Sequence, residues 1–158
     1  MSVRPAQMAE RIVQRVRDSS DIGHTQVRVL VVGVGFKRGQ AVLSNSPGVQ
    51  LIVSLLHDHE CYVEFCDPLV LEEDLRFVPK YDHLTSWNKK EIELQFDAVA
   101  VVVDQLHLDL SILASMQNTI LENFASALPW TPKTVEKAQV LGLNIQFATL
   151  NQQSSVSV

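Results

Sequence analysis

The chain has 158 residues, 46% hydrophobic and 20% charged, with 13 Lys and Arg against 18 Asp and Glu for a formal net charge of −5. That size fits one globular domain, which buries roughly two-thirds of its unfolded surface without a disulfide or metal staple. The acidic balance, with no basic run longer than Lys89-Lys90, argues against nucleic acid, and the longest apolar runs fall short of the ~20 residues of a membrane span.

Near the N-terminus, Arg4, Glu10 and Arg11 stand where a signal peptide would be apolar, so the expected location is cytoplasmic. Met8, Ile12 and Val16 recur at helical spacing, which predicts an amphipathic helix over Pro5 to Asp18. Ser19 to Gly23 breaks it, and the β-branched run Val27 to Val32 predicts a strand buried on both faces. Ser46-Pro47 is an N-cap followed by proline at the first helical position, with Val49, Ile52, Val53 and Leu56 marking a second helix up to His59.

Cys61 to Cys66 alternates as the next strand and ends at Asp67-Pro68, where proline turns the chain. The two cysteines, an odd five residues apart, fall on opposite faces and read as free structural thiols. Leu71 to Phe96 is weaker and holds a short helix or two, before the apolar strand Asp97 to Val103. From Leu110 to Phe124 the spacing fits helical packing, or a short strand beginning at Ile120-Leu121. Thr131-Pro132 then opens a helix stopped by Gly142, Leu143 to Thr149 alternates as a final strand, and residues 151–158 form a polar tail. Strands separated by helices predict an α/β fold, a Rossmann-like parallel sheet with helices on both faces in three layers, preceded by the N-terminal helix.

The first strand runs into Gly33-Val34-Gly35-Phe36-Lys37-Arg38-Gly39, spaced G-x-G-x-x-x-G, with the helix some seven residues further on. A dinucleotide fingerprint needs its third glycine at the helix N-terminus, so a backbone phosphate cradle is only weakly encoded. The longer string is more specific: Val29 to Lys37, then Ser46-Pro47, then Phe65-Cys66-Asp67-Pro68. It resembles the C-terminal domain of the UDP-glucose/GDP-mannose dehydrogenase family, whose pattern is a strand, G-x-x-F-K, a polar loop, S-P opening a helix, and a later strand ending Y-D-P. On this resemblance residues 1–22 match the end of the family's central helix, 23–150 the C-terminal domain, and 151–158 a tail.

The resemblance implies substrate contacts at Gly35, Phe36, Lys37, Ser44 and Asp67. It also implies a homodimer, or a heterodimer with a full-length dehydrogenase, through the Pro5 to Asp18 face. The family oxidises a sugar alcohol with NAD, using an N-terminal Rossmann domain and a catalytic cysteine that these 158 residues do not provide. Its cofactor-reaching arginine is replaced here by Ser44, and Leu121-Glu122-Asn123-Phe124 stands nearest to the segment that carries a sugar-nucleotide-gripping arginine. No cofactor is therefore expected for this chain alone, and no self-sufficient dehydrogenase activity.

Lys37 has three readings: a solvated loop lysine, an anion contact, or a desolvated catalytic amine. Asp104, His107 and Asp109 follow the Asp97 to Val103 strand at the carboxyl edge, where open α/β sheets bind ligands. Asp104 and His107 are candidate acid/base partners of Lys37. His57 and His59 are two apart at a helix end, so their rings diverge and no metal site is expected. Three functions follow: a vestigial nucleotide-sugar-binding or dimerising scaffold, a small-molecule isomerase or cyclase working in the old cleft, or one half of a split dehydrogenase.

Overall fold

The computed structural model describes residues 4–19 and 25–125. Four strands, β1 (Arg28–Val32), β2 (Tyr62–Cys66), β3 (Ala98–Val101) and β4 (Ile120–Asn123), form one sheet in the order β2-β1-β3-β4. All three pairings are parallel. Residues 79–81 extend the far edge, with Phe65 N–H donating to Pro79 O and Tyr81 N–H to Phe65 O. The chain leaves β1 in one direction, to β2, and returns on its other side as β3. The reversal lies between the carboxyl ends of β1 and β3, the crevice where Rossmann-like sheets take ligands.

Each strand feeds both faces, as continuous apolar runs do in parallel sheets. Val29, Val31, Val63 and Phe65 point to the face covered by α1 (Pro5–Ser19) and α2 (Pro47–Asp58). Leu30, Val32, Val99 and Val101 point to the other, under Ile92 of α4 (Lys89–Gln95), Tyr81, Phe96 and the 3-10 turn Leu110–Ser115. The segment between β2 and β3 resolves into a 3-10 turn at Glu72–Asp74, a one-turn α3 (His83–Ser86) and α4. Both alternatives at 110–124 are realised in succession, a 3-10 turn and then β4. The helix expected at Thr131 to Gly142, the strand Leu143 to Thr149 and the tail lie outside the described residues.

α1 buries Met8, Ala9, Ile12, Val13 and Val16 in the chain's own core. Its apolar stripe is therefore covered by α2 and the chain's own sheet. A partner meeting α1 would meet Glu10, Gln14 and the arginines, which are exposed. Glu122 of β4, with 4% of its side chain exposed, anchors the helix: Arg11 Nε lies 3.2 Å from its Oε1, and Arg15 Nη1 pairs with Oε2. A buried carboxylate is tolerable only when cations or donors surround it. Among the described residues no helix is long and apolar enough to cross a membrane.

Candidate functional site at the carboxyl edge

Three glycines bring the loop after β1 against its surroundings. A Cβ on Gly33, whose φ is +82°, would lie 2.1 Å from Val103 O, so β1 and the exit of β3 meet there without room for a side chain. Gly35 is closed against Gln40 O in the same way. Close packing of helix on strand, which the fingerprint gives to its third glycine, falls to Gly48 in the first turn of α2, whose Cβ would be 2.9 Å from Gly33 O. Gly39 is the third glycine of the string by spacing, but it shapes a turn and not the helix start. Ser46 accepts from Val49 N at 3.2 Å as the N-cap of α2, and its hydroxyl donates to Val34 O.

Asp67, at the end of β2, is fully buried and turned into this loop. Its Oδ2 accepts from Val34 N at 2.9 Å, Gly35 N at 3.1 Å and Gln105 Nε2 at 3.1 Å, while Oδ1 accepts from Leu69 N at 2.9 Å. The sequence places Asp67 among ligand residues; the structure sets it inside, with partners on the loop after β1 and on the segment after β3. Gln105 completes the frame. Its Oε1 accepts from Gly39 N at 2.7 Å and Leu106 N at 3.2 Å, and its Nε2 also reaches Gln40 O at 3.1 Å. Gln105 escapes sequence reasoning because one polar residue after an apolar strand reads as a solvated turn; its only signal is its place at the edge beside Asp104.

The backbone of the loop is thereby pinned. Phe36 N–H closes on Val42 O at 2.6 Å and Gln40 N–H on Lys37 O at 3.1 Å. Out of this frame stand three successive side chains, Phe36 (45% exposed), Lys37 and Arg38. Arg38 Nε donates to Asp104 O at 3.0 Å and lies 3.8 Å from Asp104 Oδ2, which lays the Lys37–Gly39 turn along the segment after β3. His107 follows, exposed and in the left-handed region at φ 67°. Ser44 is exposed further round the loop, beside Asn45 at φ 58°. Asp109 is occupied locally, capping the 3-10 turn through Ser111 N at 3.0 Å.

No protein-family model matches this chain, and no curated protein matches it.

Burial of the Asp104 carboxyl raises its pKa above the usual carboxylate range, against the opposing pull of Arg38. The folded chain therefore holds this proton more tightly than the unfolded chain does. Stability from the protonated form is fully present below the ordinary value of 3.8 and is lost as pH rises through the raised folded value. Asp104→Asn keeps the backbone carbonyl that Arg38 uses. It is expected to raise the melting temperature at pH 7, with the gain vanishing in melts below pH 3.8; an equal gain at both pH values would show that ionisation is not the cause.

Cys61 precedes β2 at the end away from this edge, whereas Cys66 closes β2 beside Asp67, its carbonyl accepting from Gly33 N at 2.9 Å. Cys61 and Cys66 are buried in the cores on opposite faces, and burial pushes their pKa values up to about 11 and about 12. Burial thus favours the neutral thiol over the thiolate at both positions. Among the described residues no group of three or more His, Cys, Asp and Glu is placed to hold a metal. His57 is exposed in the last turn of α2 and His59 is its C-cap.

The fit of a dinucleotide can be tested on the loop itself. In that class of site, successive backbone amides after the first strand face the pyrophosphate. Here those of Val34 and Gly35 are committed to Asp67, and the position expected for a cofactor-reaching arginine is a neutral serine. The residues present do not fit the group, and no reaction step is drawn through it. Among the described residues, surface grooves elsewhere include one of about 570 Å³ between Glu72 and Pro79 and one of about 450 Å³ between the start of α1 and α2. Neither is lined by Lys37, Arg38, Asp104 or His107.

Proposed function

We propose that the chain is a nucleotide-sugar-binding domain of the UDP-glucose/GDP-mannose dehydrogenase C-terminal type, which holds its ligand at the switch point and does not oxidise it. The observation that carries this reading is the outward display of Phe36, Lys37 and Arg38 from a pinned backbone at the carboxyl edge between β1 and β3. A pinned loop presents its side chains at little further entropic cost, which favours binding. Lys37 offers a compact charge for a phosphate, and the Phe36 ring offers an apolar face for a base or sugar.

The same geometry supports binding without hydride transfer. Burial raises the pKa of both thiols, and the backbone donors of Val34 and Gly35 are already taken. Calorimetry with UDP-glucose tests the reading. Lys37→Ala is expected to weaken binding about tenfold, the worth of one charge-assisted contact. Lys89→Ala, on α4, is expected to change nothing. Equal affinity in the native chain and Lys37→Ala would remove Lys37 from the site.

A further inference from the structure

The amide pair of Val34 and Gly35 forms a small anion nest: two successive N–H groups converge on one oxygen, directly after a glycine in the left-handed region. The oxygen they hold is Oδ2 of Asp67, which also accepts from the Gln105 amide. Among the described residues, every hydrogen-bond donor to this fully buried carboxylate is a neutral N–H, and no ion pair includes it. An apolar interior tolerates such a charge only because the donors replace its water. The loop is thus shaped around a negative charge, and the chain brings that charge from 33 residues further along.

We propose that Asp67 is an internal ligand, which fills the nest where a nucleotide phosphate would lie in a dinucleotide-binding sheet and so excludes external anions from the loop backbone. The contact is autoinhibitory for phosphate. Ligand anions are turned outward, to side-chain cations. Once the carboxylate is removed, the vacated nest takes a small planar anion of the same chemistry. This inference does not depend on what the Lys37 loop binds, because Lys37 is intact in every protein compared below.

The experiment is a thermal melt of the full chain against sodium formate, with sodium chloride at matched ionic strength as reference. Asp67→Ala removes the carboxylate and leaves a space the size of formate. Its melting temperature is expected to rise by about 3–6 °C at roughly ten times the formate Kd. The native chain and Asp67→Asn, whose amide still fills the space, are expected to show no rise over chloride. If Asp67→Ala is unfolded in chloride, recovery of its circular dichroism in formate is the supporting result. A variant that stays unfolded at every formate concentration, a folded one that does not respond, or an equal response in the native chain or Asp67→Asn would each overturn the proposal.

Discussion

Gly33→Ala is expected to destabilise the chain severely, while Gly39→Ala, at nearly the same backbone angle, is expected to cost far less. Both glycines are left-handed, with φ of +82° and +81°. An L side chain in that region costs roughly 1–2 kcal/mol whatever its surroundings. The two positions differ in space. A Cβ on Gly33 would be 2.1 Å from the carbonyl oxygen of Val103, a backbone atom that cannot rotate away. On Gly39 the nearest atom is Leu106 Cδ1 at 3.6 Å, an ordinary contact. Gly33→Ala must therefore push β1 from the exit of β3, and a total cost of about 4 kcal/mol is a large part of the 5–15 kcal/mol that holds a domain folded. Urea denaturation of both variants reads the difference directly. Equal midpoints would mean that the crevice between β1 and β3 is looser than described.

Much of this arrangement was legible in the sequence. The β-branched runs at Val27 to Val32 and Asp97 to Val103 could only be buried strands, and Ser46-Pro47 marked the start of α2 because an N-cap and a proline at N1 have few other uses. The odd spacing of Cys61 and Cys66 placed them on opposite faces, as observed. Distant partners were not legible. Asp67 and Gln105 meet across 38 residues, and Glu122 meets Arg15 across 107. No local pattern distinguishes such inward polar residues from solvated ones. The weak segment from Leu71 to Phe96 stayed unresolved because its elements are short and are set by caps, as at Asp82 and Asn88, more than by apolar periodicity.

Ile12→Ala is expected to lower stability by about 2–5 kcal/mol, the usual cost of truncating a fully buried aliphatic side chain. Ile12 has no exposed surface and sits in the core that α1 shares with α2 and the sheet. The helix is held as well by Arg11 and Arg15 on the buried Glu122, contacts within one chain. The loss should thus be independent of protein concentration, with the slope of the urea transition unchanged. Light scattering of the folded variant should match that of the native chain. A small, concentration-dependent loss would mean that α1 belongs to an interface between chains.

The proposed ligand, a sugar nucleotide, would sit on the displayed face of a self-liganded glycine loop. Amide NMR of the full chain titrated with UDP-glucose tests it most directly. The predicted result is saturable shifts at Phe36 to Gly39 and at Leu106 and His107, with Lys89 to Gln95 unmoved. Shifts confined to α4, or none at ligand concentrations in the millimolar range of weak binding, would contradict it.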